Sequence, residues 1–170
     1  MNVSASEEYG LRCAVRLASL NPGETLSAPQ IAELEGLSVE YVSKFMLYLK
    51  KANLVRTFRG INGGFALTRP ASEISLKSVF EALTGKNKDS EEFCDQFAGK
   101  ANTCLRGDSC SIRPFWRILS LYIDEFTREL TLSDLLKTEA ETLAKTEAIA
   151  RKNIDQLKLK VRPSDECSVV

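Results

Sequence analysis

Apolar positions recur at helical spacing along several stretches of the chain, and breakers divide those stretches. Leu11, Ala14, Val15 and Ala18 share one face of a first helix, expected from Ser6 to about Leu20. Ser6 is its expected cap, Glu7 and Glu8 suit the positive end of its dipole, and Asn21-Pro22-Gly23 stops it. A second, short helix is expected over Ala28–Glu35, with Ser27 as cap, Pro29 in the first turn and Gln30 at the third position of a capping box. Gly36-Leu37-Ser38 reads as a tight turn, and Ser38 then caps a third helix running to about Ala52. Val42, Phe45, Met46 and Leu49 form its apolar stripe at i, i+3, i+4 and i+7, while Glu40, Tyr41, Lys44 and Leu47 occupy the other side.

Short helix, Gly-containing turn and polar-headed helix make a helix-turn-helix pattern. Residues 53–58 read as a strand, 59–64 as a Gly-rich turn and 65–68 as the return strand. A β-hairpin directly behind a candidate recognition helix is the order of a winged helix. In that arrangement the helix reads base edges in the major groove, and an Arg-bearing tip reaches the minor groove or the phosphates. The fold class expected is mainly α with a small β-hairpin wing.

A fourth helix is expected from Ser75 to about Leu83, with Leu76, Val79, Phe80 and Leu83 apolar. Periodicity then vanishes until Ser111, over a stretch too long for a plain connector. A long helix follows from Ile112 to about Leu130. Its residues Ile112, Trp116, Leu119, Ile123, Phe126 and Leu130 step by four and three, as in a coiled-coil seam, and predict a homodimer. A second apolar stripe, through Phe115, Ile118 and Leu121 or Tyr122, leaves one side for the helix's own domain and one for the partner. Thr138–Lys160 is rich in Ala, Glu and Lys and reads as helix, with Glu141/Lys145 and Glu147/Arg151 at i, i+4 and no assignable function. The expected division is therefore 1–84 winged helix-turn-helix, 85–111 cysteine loop, 112–136 dimerisation helix and 137–170 extension and tail.

Composition adds that 44% of residues are hydrophobic and 27% charged, which fits a globular chain and excludes a disordered one. No apolar run is long enough to span a membrane, and the N-terminal residues lack a signal-peptide pattern, so the expected compartment is the cytoplasm. Net charge is zero, but its distribution is uneven. Between Lys44 and Arg69 lie six basic residues (Lys44, Lys50, Lys51, Arg56, Arg59, Arg69) and no acid, a local +6. Between Ala71 and Gly99 six acids outnumber three bases. A basic stretch inside a neutral chain points one face at a polyanion.

The chain has five cysteines and no histidine. An odd count without secretory features argues against a disulfide framework. Cys94, Cys104 and Cys110 cluster in the irregular loop, and three thiolates there offer a soft-ligand site for an iron–sulfur cluster, zinc or copper(I), or a set of redox thiols. Paired zinc knuckles are absent, and mixed Cys/His zinc sites are excluded. A fourth ligand could come from a carboxylate, Cys13, Cys167 or a small molecule. Without histidine, Cys–His and Ser–His nucleophile pairs cannot form, and no Walker or dinucleotide fingerprint occurs, so no enzyme is expected.

These stretches together resemble the Rrf-two family of bacterial winged-helix regulators, which includes iron–sulfur-biogenesis regulators and nitric-oxide sensors. The residues that carry the resemblance are Tyr9-Gly10-Leu11-Arg12, Leu37 to Val42, Leu54-Val55-Arg56, Arg59-Gly60 with Gly63-Gly64, Ala71 to Leu76, the three cysteines and Thr131 to Leu135. The resemblance spans about Val3 to Leu136. It implies a homodimer on a pseudo-palindromic double-stranded DNA operator, with repression the expected sense. It also implies a two-iron or four-iron cluster on Cys94, Cys104 and Cys110 whose presence, oxidation or reaction with nitric oxide changes promoter occupancy. Ser38, Glu40, Tyr41 and Lys44 fall where the family faces the major groove, and Arg59, Gly60 and Asn62 fall at the wing tip. Gln30 and Arg56 complete the expected DNA-contacting set.

Two departures stand out. The first two cysteines lie farther apart than is usual in the family. Arg113 occupies the position of the biogenesis regulators' histidine ligand and cannot bind iron, whereas Glu8 falls at the carboxylate ligand position of the nitric-oxide sensors. A thiol-redox regulator without metal is the alternative reading.

Overall fold

The computed structural model describes residues 3–60, 63–85 and 110–160. Helix α1 spans Ala5–Ala18, α2 Ala28–Glu35 and α3 Val39–Lys51. Strands β1 (Val55–Phe58) and β2 (Gly64–Leu67) pair antiparallel, with Val55 opposite Leu67 and Phe58 opposite Gly64. A 3₁₀ turn at Ala71–Glu73 leads to α4, Leu76–Thr84. Helix α5 runs Ile112–Glu129, a second 3₁₀ turn covers Leu132–Leu136, and α6 covers Glu139–Lys160. The mainly helical fold with one hairpin wing agrees with the expectation.

The first helix begins one turn fraction earlier than expected, because its cap is Ser4 and not Ser6. The Glu7 N–H donates to Ser4 Oγ at 3.2 Å, and the Ser4 N–H donates back to Glu7 Oε2 at 2.9 Å. A capping box needs a Glu or Gln three residues after the cap, which Ser4 has and Ser6 lacks. The first strand also starts later than expected. Asn53 takes a left-handed φ of 55° and ends α3, so the strand can start only beyond it.

The core sits between α1, α3 and α4. Cys13, Ile31, Val42, Phe45, Met46, Leu49, Ile74 and Val79 are completely buried there. Gly10 lets α1 and α4 approach so closely that a methyl group at this position would overlap the Leu83 side chain.

The far end of the chain completes this core. The Leu76 N–H donates to the Leu130 carbonyl at 2.8 Å, and the Leu132 N–H donates to the Ile74 carbonyl at 2.9 Å. Leu130 and Leu132 are thereby buried in their own subunit. Leu130 was expected on the dimer seam and does not lie there. The backbone turns extended at Leu130 (φ −94°, ψ 140°), which swings its side chain into the core.

Helix α6 lies along α5. Ile149 and Asn153 are buried, the Asn153 amide nitrogen donates to Glu129 Oε1 at 2.9 Å, and Lys152 pairs with Glu129 at 2.7 Å. The expected Glu141–Lys145 pair does not form. Glu141 instead caps α6 by accepting from the Thr138 N–H and hydroxyl, and Lys145 reaches Asp134 at 2.6 Å. The Glu147–Arg151 pair forms at 3.4 Å. Among the described residues, no helix is long and apolar enough to cross a membrane.

Candidate nucleic-acid interface and cysteine site

The turn between α2 and α3 is built by local chemistry. Ser27 and Gln30 form the expected capping box, with the Ser27 N–H donating to Gln30 Oε1 at 2.8 Å. Gly36 takes a left-handed φ of 65°, and the Leu37 N–H closes back on the Ala32 carbonyl at 2.9 Å. Ser38 then accepts the Tyr41 N–H at 3.3 Å and starts α3. At its other end α3 closes in the same manner, with Asn53 N–H to Lys50 O at 3.0 Å and Leu54 N–H to Leu49 O at 2.9 Å.

One ionic clasp fixes α2 against α1. The carboxylate of Glu35 lies between Arg12 Nε at 3.1 Å and Arg16 Nε at 2.6 Å, and Arg12 also donates to the Glu35 carbonyl. The residue before the helix-turn-helix glycine is thus held from the first helix. This clasp escaped the sequence reading. The only signal for it was a pair of arginines at i, i+4 on a helix otherwise read for its apolar face.

With Val42, Phe45, Met46 and Leu49 fully buried, geometry puts Glu40, Lys44, Leu47 and Lys51 along the outermost ridge of α3. All four are exposed, and so are Ser38 and Ser43. Tyr41 stands beside the ridge, half-exposed, with its ring stacked on buried Phe45 at 6.0 Å between centroids. Lys44 places its ammonium 5.8 Å from the Tyr48 ring centroid. Leu47 and Lys51 were not among the expected contacts. Their spacing from Lys44 shows why they belong to the ridge.

The wing is tied down on one side. Phe65 exchanges both backbone hydrogen bonds with Leu26, at 2.8 and 3.1 Å, so β2 is anchored to the segment entering α2. Gly64 is required at that contact, because a Cβ would sit 2.6 Å from the Leu26 carbonyl carbon. Arg56 is exposed, with its guanidinium 4.9 Å above the Phe58 ring. Arg59 and Gly60 project at the tip, where Gly60 has φ 114°. Asn62 lies outside the described residues. The exposed lysines of α3 and the exposed Arg56 and Arg59 of the wing are thus available to solvent. Gln30 is exposed at the head of α2, with its side-chain oxygen committed to the cap.

Of the expected metal ligands, Cys94 and Cys104 lie outside the described residues. Cys110 is half-buried, just before α5. Glu8 is exposed in the first turn of α1, on the rim of a pocket of about 380 Å³ lined also by Leu11, Arg12, Val15 and Leu135. Among the described residues no group of three Cys, Asp or Glu side chains is close enough to hold a metal ion. Cys13 is fully buried in the core, and burial, followed by the nearby Glu35 charge, pushes its thiol up to about 11. A buried, protonated thiol makes a poor ligand and a poor redox sensor.

A helix-turn-helix followed by a hairpin wing is the architecture of a winged-helix DNA-binding protein. The model of the family described as Rrf2, iron-dependent transcriptional regulator, matches residues 3–138. The chain belongs to this family, and it is a transcription regulator, not an enzyme. A curated relative, the transcriptional regulator NsrR of Oceanobacillus iheyensis, is 30% identical over 85% of this chain and 95% of its own length. Among solved structures, T. potens IscR is 27% identical, covers 80% of this chain and 86% of its own, and superposes with a TM-score of 0.63. The oxidized form of Staphylococcus aureus CymR is 25% identical, covers 81% and 98%, and has a TM-score of 0.62.

Proposed function

We propose that this regulator binds a pseudo-palindromic operator as a homodimer and that an iron–sulfur cluster, carried by Cys94, Cys104, Cys110 and Glu8, controls its promoter occupancy. Repression is the sense we assign. The observation that carries the reading is the three-cysteine loop of 85–111 in a chain of the iron-dependent regulator family. The donor set suits such a cluster. Thiolates are soft ligands for iron, and a carboxylate from Glu8 is a hard, labile one that leaves an iron open to small molecules. Exposure of Glu8 on the first turn of α1 supports its availability. When bound, the cluster supplies redox and gas reactivity; the protein supplies the ligands and the surface that meets DNA.

The first half of α5 supports the dimer. Ile112, Phe115, Trp116, Ile118 and Leu121 are between 37% and 61% exposed. Two exposed apolar stripes on one helix, Ile112 with Trp116 and Phe115 with Ile118 and Leu121, suit an interface. Phe115 and Trp116 meet edge-to-face at 5.0 Å and form its bulkiest point. From the expected seam Ile112 and Trp116 are exposed, Leu119 and Ile123 are half-buried, and Phe126 packs against the core of its own subunit.

The test is an anaerobic visible spectrum with iron and sulfide quantitation on the wild type, Glu8→Ala and Cys104→Ser. The reading expects a brown wild type absorbing near about 400 nm, an unstable or altered Glu8→Ala and a colourless Cys104→Ser. A colourless wild type after reconstitution with iron and sulfide refutes the cluster. The likeness to a CymR solved in an oxidized form favours a second reading, in which the same loop cysteines act as metal-free redox thiols. That reading expects peroxide to link two of Cys94, Cys104 and Cys110, detectable by mass spectrometry, with a change in DNA affinity.

A further inference from the structure

Between Gly36 and Ser72 the chain holds six basic side chains and a single acidic one, Glu40. That acid stands on the outermost ridge of α3, one turn before Lys44, at the end of the recognition helix that enters a groove first. It is exposed, and among the described residues no lysine or arginine lies within ion-pair distance of it. Its own backbone N–H and the Ser38 hydroxyl hold its carboxyl below the usual carboxylate range, so it is charged at neutral pH.

A carboxylate at this place opposes phosphate binding. It gains nothing from the DNA backbone and repels it. Base edges are the one part of a duplex that offers it a partner, because the exocyclic amino groups of the major groove are donors. Among these, cytosine N4 is the match for a lone acidic acceptor, since adenine presents an acceptor next to its amino group and is better read by an amide. Lys44, one turn on, suits the O6 and N7 acceptors of guanine, and Leu47, half-exposed on the same ridge, suits a thymine methyl.

We propose that Glu40 is a specificity-determining residue that accepts a hydrogen bond from cytosine N4 at one fixed position in each operator half-site. Glu40 also rejects DNA lacking that donor, because its charge is then buried against acceptors or phosphate. The proposal rests on the DNA-binding reading of α3.

The probe is a pool of duplex DNA with a randomised central segment, selected separately by wild type, Glu40→Ala and Glu40→Gln. Wild type is expected to enrich sites with cytosine at one symmetric position, preferred by at least about five-fold. Glu40→Ala is expected to lose the preference at that position alone and to bind non-cognate duplex more tightly. Glu40→Gln is expected to shift the preference to adenine, which a merely helix-capping charge would not do. An unchanged cytosine preference in Glu40→Ala overturns the proposal while leaving DNA binding intact. A wild type that enriches no sequence at all overturns the DNA-reading assignment of α3, and this proposal with it. Circular dichroism on the variants checks that α3 stays folded, which the exposure of Glu40 leads one to expect.

Discussion

Replacing Asp134 by Ala tests how the C-terminal helix and the core are joined. Asp134 is 2% exposed. Its carboxylate accepts from the Thr131 N–H at 3.0 Å and the Thr131 hydroxyl at 2.9 Å, and it faces Lys145 at 2.6 Å and Lys137 at 3.4 Å. Removing one member of a buried, hydrogen-bonded ion pair costs about 3–5 kcal/mol. Both lysines are partly solvated, with side chains 38% and 46% exposed, so the lower end applies, about 3 kcal/mol. For a chain of this size that lowers Tm by roughly 6–12 °C at fixed protein concentration. Lys145→Ala alone should cost only about 0.5–1 kcal/mol, because Thr131 and Lys137 still satisfy the carboxylate.

The pH dependence of this effect follows from the same contacts. Burial raises the Asp134 pKa, but Lys145, the Thr131 N–H and hydroxyl, and Lys137 outweigh it and hold the carboxyl well below the usual range. A folded pKa below the unfolded one gives stability that is complete above the unfolded value, about 3.9, and is lost as pH falls through the folded value. The difference between wild type and Asp134→Ala, read from urea melts, should therefore be flat from pH 7 to about 5. Below about pH 4 it should shrink by about 1.4 kcal/mol per pH unit. A difference under about 0.5 kcal/mol at pH 7, or one that stays constant down to pH 3, would refute the assignment of Asp134 as a charged, buried anchor.

Four further outcomes are expected. Glu35→Ala removes the clasp to Arg12 and Arg16 and should lower stability by about 1–2 kcal/mol in thermal melts, with weaker DNA binding in gel shifts because the helix-turn-helix loses its tie to α1. Gly64→Ala should destabilise by about 1–3 kcal/mol in urea titration, because the new methyl meets the Leu26 backbone. Arg59→Ala should weaken binding about equally for all sequences and reduce the slope of log affinity against log salt by about 1 in fluorescence anisotropy. If the proposed dimer forms through α5, Trp116→Asp should sediment as a monomer where the wild type sediments as a dimer, with an unchanged circular dichroism spectrum, since the side chain is more than a third exposed.

Much of this architecture was legible because local chemistry decides it. Ser27 with Gln30 and Ser38 before Val42 fix two helix starts, and both fall where periodicity places them. The hairpin followed from its glycines. What the pattern missed was set by contacts between segments remote in sequence. Leu130 has the spacing of a seam residue, yet it is drawn inward by pairing with Leu76, which no helical repeat encodes. Lys145 has a Glu four residues before it, but the nearly dry Asp134 is the stronger partner and takes it. Glu35 read as a helix end, and its role appears only once α1 and α2 are packed. The DNA face was readable because charge accumulates along a short stretch of chain. The cysteine site was readable only as composition and spacing.

The short backbone pairing of residues 74–76 with 130–132 ties the DNA-reading head to a segment synthesised much later. Chains fold from the N-terminus as they are synthesised. The head would leave the ribosome before Leu130 and Leu132, whose backbone pairs with Leu76 and Ile74, are made. A product cut before Leu130 would lack this pairing and the buried Leu130 and Leu132 side chains, and would expose apolar surface that proteases and chaperones sort by. The apolar core of the head is thus complete only with the segment that follows the long helix α5.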